Sequence, residues 1–537
     1  MKLSSFTAAT FAWLSGAQQQ VPLQADDHTR PTNIAIIGAG AGGSSAAYFL
    51  SKYAHNASIP LNTTVFDRNP YVGGRSTTVS AYNDTTLPVE LGASIFVEIN
   101  HILVDAAKDF NLSTSGLAEN DFHVDGSKVP GPQLAIWDGE NIVLTANGGW
   151  FDFAKLFWKY GWTPVRTQKL MKKVIGKFMQ LYDAPLFPFA SLTQAAQDTG
   201  LLAVTASTGE QYMRENGITG PFGREVVQAS TRVNYAQNLG YIHGLEAMVC
   251  MATDGAMAIE GGNWKIFDGM IKSSGAHLKL ETKVGGIWPQ GHGKYALNYS
   301  HIDGTGSGSQ LFDAVVLAAP YQYSDLKSLG VASEHHPDEI PYVELHVTLF
   351  TSPHLLSPEF FNMPADKPAP RVILTTLPDG EPARKGKEGV GSPGFFSISL
   401  LRPIVNPNTS QKEYLYKIFS PEAPDSEWLA ALLGVKDSPG GGKEIVSGRD
   451  ITWIYRKVWN SYPYEYPRVT FEDPNLGKNL YYTSGMDSFI STMETNALMG
   501  KNVARLMVDE LVRKDSNQDS IEGIMVQKNV TDAFAAV

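Results

Sequence analysis

One strand–loop–helix pattern near the N-terminus constrains the fold more than any other feature of the chain. The apolar run at residues 34–37 predicts a buried parallel strand. Gly38, Gly40 and Gly43 follow with the spacing G-x-G-x-x-G, and residues 44–53 then have the pattern of a helix. A strand, a tight turn and a helix in this order place a helix N-terminus where it can hold a pyrophosphate.

The residues after this helix strengthen the interpretation. Residues 63–67 are predicted as a second strand ending in Asp67, whose carboxylate suits a pair of ribose hydroxyls. Asp67 lies 29 residues after Gly38, and a loop over residues 55–62 explains why the usual separation of ~20 is exceeded. Gly38 permits the turn, Gly40 lets the backbone approach phosphate, and Gly43 lets the helix pack on the sheet. The predicted ligand is therefore a dinucleotide.

The composition excludes several classes of protein. With 43% apolar residues, the 537-residue chain can bury sizeable cores. Its net charge of -11 argues against nucleic acid or an anionic membrane surface as the main partner. Cys250 is the single cysteine, so the chain has no intramolecular disulfide. It contains no His-Glu-x-x-His motif and no cysteine cluster, and no metal site is predicted.

The N-terminus has the features of a secretory signal peptide over residues 1–17. Lys2 is a short positive region, residues 3–14 are modestly apolar, and Ser15 and Ala17 are the small residues of a cleavage site. No other stretch reaches the ~18 apolar residues of a membrane span, so no transmembrane segment is expected. We expect a protein of the secretory pathway, either extracellular or in a lysosomal or vacuolar lumen. N-glycans are predicted on six sequons, at Asn56, Asn62, Asn83, Asn111, Asn298 and Asn408, and a seventh sequon lies at Asn529.

The segment after the second strand resembles the extended fingerprint of FAD-binding oxidases of the glutathione-reductase-like and amine-oxidase-like group. It contains Arg68 and then the doublet Gly73-Gly74 followed by Arg75. In that group the doublet lies against the diphosphate and the ribityl chain, and the arginine supplies charge. The resemblance implies an α/β fold with a Rossmann-like FAD-binding domain, an interleaved α+β substrate domain and a helical cap. The implied FAD is non-covalent, because Cys250 lies outside the segments expected to touch the flavin.

Other segments are expected to reach the same cofactor. In such oxidases a segment like residues 90–96 passes near the flavin ring, and a strand like residues 277–284 receives the adenine. Residues 485–487 would return to the ribityl chain before a closing helix over residues 493–513. The resulting set of cofactor-binding candidates is Gly38, Gly40, Gly43, Asp67, Arg68, Gly74, Arg75, Gly92, Ser94, Val284, Gly485, Asp487 and Met493.

This interpretation divides the chain into two interleaved domains. The discontinuous FAD-binding domain is predicted to comprise residues 32–100, 255–325 and 476–513, and the substrate and cap domain residues 101–254 and 326–475. Residues 514–537 are predicted to be a flexible tail. Aromatic residues between 150 and 162 favour an apolar substrate pocket within the cap.

Two further motifs narrow the resemblance to the prenylcysteine lyase (prenylcysteine oxidase) family. They are Arg232-Val-Asn-Tyr235 and Glu260-Gly-Gly-Asn263, and the similarity runs from residue 34 to about residue 511. The resemblance implies an FAD-dependent oxidase that cleaves the thioether of farnesyl- or geranylgeranyl-cysteine by hydride transfer to flavin. Its products would be a prenyl aldehyde, cysteine and hydrogen peroxide, with O2 as the acceptor. Asp67 departs from the family, which more often has Glu there.

The residues around the substrate are predicted with less support from motifs. Glu260 and Asn263 are candidates for a polar edge of the active site, and Phe96 and Tyr235 for its pocket walls. Arg232 could pair with the substrate carboxylate or within an internal salt bridge. Two other functions stay open, a secreted FAD amine oxidase or oxidase of another thioether, and a flavoprotein without catalysis. The prenyl length, the general base and the oligomeric state are not defined by the sequence.

Overall fold

The computed structural model describes residues 30–116, 123–124, 127–147, 150–326, 336–435 and 447–535, so the predicted signal peptide at residues 1–17 lies outside the described residues. The strands are β1 (Thr32–Ile37), β2 (Leu61–Phe66), β3 (Thr78–Ser80), β4 (Pro88–Glu90), β5 (Thr114–Gly116), β6 (His123–Val124), β7 (Ser127–Lys128), β8 (Leu134–Trp137), β9 (Ile142–Ala146), β10 (Met257–Ile259), β11 (His277–Lys279), β12 (Thr282–Gln290), β13 (Lys294–His301), β14 (Ser307–Phe312), β15 (Ala314–Leu317), β16 (Tyr342–Ser352), β17 (Val372–Thr375), β18 (Ser397–Val405), β19 (Lys412–Ser420), β20 (Trp453–Pro463), β21 (Asn475–Gly477) and β22 (Leu480–Tyr482). The α-helices are α1 (Ala41–Asn56), α2 (His101–Asp109), α3 (Trp150–Tyr160), α4 (Thr163–Phe178), α5 (Leu192–Asp198), α6 (Leu202–Thr205), α7 (Gly209–Glu215), α8 (Gln228–Tyr235), α9 (Gly244–Val249), α10 (Trp264–Ser274), α11 (Ser426–Leu433) and the C-terminal helix (Met493–Ala535).

A six-stranded sheet forms the centre of the Rossmann-like part, with the order β11-β2-β1-β15-β22-β21. β1 pairs in parallel with β2 on one side and with β15 on the other. Both faces of β1 are buried, because Ile34 and Ile36 belong to one apolar cluster while Ala35 and Ile37 belong to another. The predicted buried parallel strand and the α/β fold class are therefore confirmed.

The helix after the glycine loop, α1, is longer at both ends than the predicted residues 44–53. It packs closely on the C-terminal helix, since the Ser45 hydroxyl donates to the Ala497 carbonyl at 2.6 Å. The C-terminal helix does not end near residue 513 as predicted but continues to Ala535. No proline occurs between Met493 and Ala535, so the sequence does not interrupt the helical backbone there.

A second, seven-stranded sheet has the order β20-β16-β19-β18-β17-β8-β9. Strands β16 to β20 come from the second predicted piece of the substrate domain, residues 326–475. The β8–β9 hairpin comes from the first piece, residues 101–254, and β8 joins the sheet by parallel pairing with β17. The two predicted pieces of the substrate domain therefore share one sheet, although the domain boundaries stay a prediction.

Helices α3 to α9 form the cap. Its aromatic residues do not all face a pocket as expected, because Trp158 is 90% exposed and Trp162 is 63% exposed. Tyr160 is buried instead, because α3 turns that face toward Phe222. The pocket is lined further along the segment, by α4. Among the helices described here, none is long and apolar enough to cross a membrane.

Candidate active site

Two of the loop glycines are required by close packing. Gly38 has a φ of +111°, and a Cβ there would lie 2.5 Å from the Ala318 carbonyl oxygen. A Cβ on Gly43 would lie 1.9 Å from the Gly38 carbonyl oxygen. Larger residues would therefore displace the backbone at the point where β1 turns into α1.

The third glycine borders open space. A Cβ on Gly40 would meet no atom closer than the Gly74 Cα, which lies 3.9 Å away. Gly40 is also the N-cap of α1, no side chain caps this helix, and its first turn contains no acidic residue. The free N–H groups of the first turn and the positive end of the helix dipole thus face a cradle that a Cβ would partly fill. The cradle fits a pyrophosphate.

The second glycine segment lies directly beside the first. The Gly73 N–H donates to the Ala39 carbonyl at 2.9 Å. Asp67 holds the same loop, because one carboxylate oxygen accepts from the Ala39 N–H at 2.7 Å and the other from the Asn69 N–H at 2.8 Å. Burial raises the pKa of Asp67, while these N–H donors oppose the shift. The structure thus brings together three segments that the sequence assigned to one dinucleotide.

Arg75 is partly exposed and pairs with another predicted cofactor residue. Its guanidinium donates to both oxygens of Asp487, at 3.0 and 2.9 Å. Asp487 also accepts from the Tyr342 hydroxyl at 3.0 Å and from the Asn496 amide at 2.8 Å. Arg75 therefore fixes the segment that includes Gly485, where a Cβ would meet the Glu472 carbonyl at 2.5 Å.

Two cofactor candidates lie toward the predicted adenine end of the site. Arg68 is exposed and donates to the Tyr323 carbonyl at 3.0 Å. Val284 is buried beside Phe66, the last residue of β2. The single strand predicted over residues 277–284 is interrupted at Glu281, whose φ is +50°, and β12 begins at Thr282.

A buried lysine that the sequence did not single out supports the segment predicted to pass the flavin. Lys417 of β19 donates to the Ser94 hydroxyl at 2.9 Å and to the Glu90 carbonyl at 3.1 Å. Burial lowers the pKa of Lys417 to about 8 and raises the pKa of Glu90 to about 7, while the attraction between the two groups opposes both shifts. Beside them, a Cβ on Gly92 would lie 3.3 Å from the Trp459 ring.

Asn263 also stabilises the segment predicted to pass the flavin. Its side-chain amide donates to the Ala93 carbonyl at 2.8 Å, and its side-chain oxygen accepts from the Ile259 N–H at 2.8 Å. Its backbone N–H donates to the Glu90 carboxylate at 2.6 Å. Asn263 is completely buried. Its amide therefore holds this loop in place and is not the free polar group at the edge of the active site that the sequence predicted.

The other two catalytic candidates are corrected by the structure. Glu260 is exposed on the turn after β10, where only its backbone is engaged, by Ser113 and Lys265. Arg232 is completely buried and contacts neither a carboxylate nor the cavity described below. It donates to the carbonyls of Gly389 and Val390, both at 2.7 Å. Burial lowers the pKa of Arg232 to about 9, and its neutral partners do not offset that cost.

A cavity of about 160 Å³ lies between the cap and the start of the C-terminal helix. Phe96 and Tyr235, the predicted pocket walls, both line it, as does the cofactor candidate Met493. Its lining is mainly apolar and also includes Leu103, Ile175, Phe178, Met179, Tyr182, Cys250 and Glu494. Cys250 is buried, and the sequence did not predict its position in the cavity wall.

Glu494 gives this cavity a polar anchor. Its carboxylate accepts from the Ile102 and Leu103 N–H groups, each at 3.0 Å, and from the Tyr182 hydroxyl at 2.9 Å. These donors lie at the start of α2 and in the cap, so one side chain ties both to the C-terminal helix. Burial raises the pKa of Glu494 to about 7.

A second buried polar cluster lies behind Tyr235. His243, Glu246 and Glu465 are completely buried, and their ligand atoms lie within 4.8 Å of one another. The His243 Nδ1 accepts from the Glu246 N–H at 3.1 Å, so its Nε2 holds the proton and faces a Glu465 oxygen at 3.5 Å. In this tautomer Nε2 has no lone pair free for a metal ion, and within the described residues neither Nε2 nor the two Glu465 carboxylate oxygens have a hydrogen-bond partner.

The functional residues that the sequence did not single out are charged side chains in apolar surroundings. They are Glu246, Lys417, Glu465 and Glu494. A charged residue in an otherwise apolar element is the available sequence signal, because a buried charge is retained only where partners exist. The identity of those partners depends on contacts between distant segments.

The fold defines a class of Rossmann-like oxidases. A sequence profile of an NAD(P)-binding Rossmann-like domain matches residues 36–109. A redesigned putrescine oxidase is 12% identical with a TM-score of 0.54, and the match covers 89% of this chain and 99% of that one. Cyclohexylamine oxidase from Brevibacterium oxydans is 15% identical with a TM-score of 0.52, covering 90% of this chain and 100% of that one. These likenesses establish the amine-oxidase-type fold.

The chain belongs to the prenylcysteine lyase family. The profile of that family matches residues 144–520, which is more than half of the chain. Farnesylcysteine lyase of Arabidopsis thaliana is 28% identical over 516 residues, covering 91% of both chains. Prenylcysteine oxidase 1 of Homo sapiens is 27% identical over 516 residues, covering 92% of both. The family predicted from the motifs is confirmed.

Proposed function

We propose that this protein is an FAD-dependent oxidase that cleaves the thioether of a prenylcysteine. Loss of hydride from the carbon next to sulfur lets water add there, so prenylcysteine, O2 and water give a prenyl aldehyde, cysteine and hydrogen peroxide. The observation that carries the proposal is the position of the apolar cavity. Its wall includes Met493 and Glu494, which follow directly on the segment that Arg75 fixes beside the glycine loop. An apolar substrate in this cavity would therefore lie next to the end of the cofactor that reacts.

The hydrogen-bonding groups around the glycine loop are suited to binding FAD. The free N–H groups at the start of α1 and the cradle at Gly40 would hold the pyrophosphate, and Asp67 retains lone pairs for a ribose hydroxyl. When bound, FAD supplies the hydride acceptor and transfers the electrons to O2. We propose that it is bound non-covalently.

The protein's own residues position the reactants. Lys417 and Asn263 fix the Gly92–Ser94 turn from two sides, so the wall facing the cofactor is rigid before substrate arrives. Phe96, Tyr235 and the other apolar residues of the cavity would bind the prenyl chain by burying it. Ordering these groups in advance lowers the entropic cost of aligning the carbon next to sulfur.

The proposed location is the secretory pathway, with an extracellular or a lysosomal or vacuolar destination. The six asparagines predicted to carry N-glycans support it, because all six are exposed. Glycans need such positions, since a branched sugar cannot be accommodated within a core. Treatment of secreted protein with an amidase that removes N-glycans, followed by mass spectrometry, would show which of the six are occupied.

The function is tested by mixing the purified flavoprotein with farnesylcysteine in the absence of oxygen. We expect the absorbance of oxidised flavin to bleach, and hydrogen peroxide to appear in proportion to aldehyde when air is admitted. Unchanged flavin absorbance with farnesyl- and geranylgeranyl-cysteine would contradict the proposal. A farnesyl amine is the control for amine oxidation. A cysteine thioether of a saturated chain of similar length tests whether the allylic carbon is needed.

A further inference from the structure

The cap carries a basic segment that contrasts with the charge of the whole chain. Between Ala154 and Tyr182 the sequence has no Asp or Glu and seven basic residues, whereas the complete chain has a net charge of -11. Lys155, Arg166, Lys169, Lys172 and Lys173 of this segment are exposed. Within the described part of the chain, none of these five forms an ion pair with a carboxylate. The positive electrostatic potential of these five side chains is therefore not neutralised by ion pairs.

Large aromatic side chains lie on the same surface. Trp158 is 90% exposed, Trp162 is 63% exposed and Phe157 is 41% exposed. The Phe157 and Trp162 rings contact each other edge to face at 5.2 Å, so they form a continuous apolar patch. Exposing two tryptophans together is unfavourable in water, and such patches mark surfaces that meet an apolar partner.

Trp162 shares one face of α4 with three of the basic residues. Trp162 is the N-cap of α4, and Arg166, Lys169 and Lys173 follow at steps of three and four residues, which places them on a single face. The opposite face of α4 carries Phe178, which lines the cavity. One helix thus separates the exposed aromatic and basic surface from the predicted substrate site.

We propose that this surface, Phe157 to Lys173, docks on a membrane that contains anionic lipids. Lysines and arginines are attracted to the phosphates and carboxylates of lipid headgroups, and tryptophan side chains insert at the level of those headgroups. The combination of Trp162 and basic residues on one helical face, with Phe157 packed against Trp162, fits an interface of this kind. No N-glycosylation sequon lies between residues 112 and 297, so no predicted glycan is attached to this segment.

If the proposed function holds, docking would also help the substrate to reach the cavity. A prenylated substrate partitions into lipid, and a cavity directly beneath a membrane-bound helix would receive it without passage through water. Docking itself does not depend on that reaction, and the two are measured separately.

Docking is tested by co-sedimentation of the full-length flavoprotein with phosphatidylcholine vesicles, with and without phosphatidylserine. We expect phosphatidylserine to strengthen binding by at least about tenfold at low salt and raised salt to weaken it. Lys169→Glu with Lys173→Glu should remove the gain from phosphatidylserine. Trp158→Ala with Trp162→Ala should weaken binding to both kinds of vesicle. The flavin content and thermal midpoint of these variants should equal those of the wild type, because all four side chains are exposed.

Matched variants elsewhere on the surface provide the control. Trp288→Ala removes another exposed tryptophan, and Lys385→Glu with Lys412→Glu reverses two other exposed lysines. Both should bind vesicles like the wild type. The proposal is wrong if the wild type binds neither kind of vesicle, or if the control variants lose binding as strongly as the patch variants. Retention by heparin without any vesicle binding would also overturn it, since that result indicates a polyanion site.

Discussion

The two halves of the molecule hold their sites in different ways. At the dinucleotide end, backbone geometry within a few residues sets the arrangement, as at Gly43, where a single added carbon would collide with the Gly38 carbonyl. At the substrate end, side chains reach across long stretches of sequence, as when Arg232 bonds to Gly389 and Val390. The first arrangement is fixed locally, and the second exists only after the two sheets and the cap have assembled.

The difference explains why charge behaves differently in the two halves. Arg75, near the dinucleotide end, has a carboxylate partner in Asp487, and that attraction raises its pKa despite burial. Arg232 forms its hydrogen bonds with neutral oxygens, and burial lowers its pKa to about 9 against the weaker attraction of Glu381. The arginine near the dinucleotide end is therefore held by an ion pair, whereas the arginine at the substrate end is held by neutral hydrogen-bond acceptors.

The largest effects are expected from a matched pair of glycine substitutions. Gly43→Ala should prevent stable folding, at a cost above about 4 kcal/mol, because its Cβ would lie 1.9 Å from a carbonyl oxygen. Gly40→Ala should leave the fold intact but weaken FAD binding by about a hundredfold, with each tenfold equal to about 1.4 kcal/mol. Circular dichroism and flavin content of both variants separate the two outcomes. Equal flavin content in Gly40→Ala and the wild type would show that FAD binding does not need the space beside Gly40.

Arg232→Met should destabilise the protein by about 3 kcal/mol, since several buried carbonyls would lose their donor. The remaining folded enzyme should keep its KM for farnesylcysteine. Urea unfolding and steady-state kinetics measure the two quantities. A large rise in KM without loss of stability would instead support the earlier expectation that Arg232 binds the substrate carboxylate.

Lys417→Met should have a smaller effect, confined to the cofactor. The Ser94 hydroxyl and the Glu90 carbonyl would lose their donor, and the segment they belong to would be held less firmly. We expect FAD to dissociate about tenfold more readily, which corresponds to about 1.4 kcal/mol. Lys457→Met, on a partly exposed residue of β20 in the same sheet, is the control. Equal flavin affinities for the two variants would exclude this role for Lys417.

The last prediction concerns the pH dependence of stability. Burial raises the pKa of Glu246 from 4.5 to about 8, and burial together with Glu246 raises that of Glu465. A carboxyl group whose folded pKa is raised contributes stability that is present below pH 4.5 and is lost as pH rises through the folded pKa. The thermal midpoint of the wild type should therefore fall between pH 5 and about pH 8 more steeply than that of Glu246→Gln with Glu465→Gln. Parallel curves would show that this cluster does not titrate in that range.

Sequence reasoning succeeded where spacing alone determines structure. The glycine loop, the parallel strands and the family could be predicted because each depends on residues close together in the chain. It failed for Glu260 and Arg232, since a polar residue in a motif can equally well face solvent or support a loop. Lys417 could not be assigned a role because its partners, Glu90 and Ser94, lie more than 300 residues away.

The central claim is that the protein breaks a carbon–hydrogen bond on the prenyl carbon attached to sulfur. It is tested most directly with farnesylcysteine that carries two deuterium atoms on that carbon, with the C15 product analysed by mass spectrometry. The account predicts farnesal that retains one deuterium, together with hydrogen peroxide in equal amount. A C15 product that retains both deuterium atoms, such as farnesol formed by hydrolysis, would contradict it.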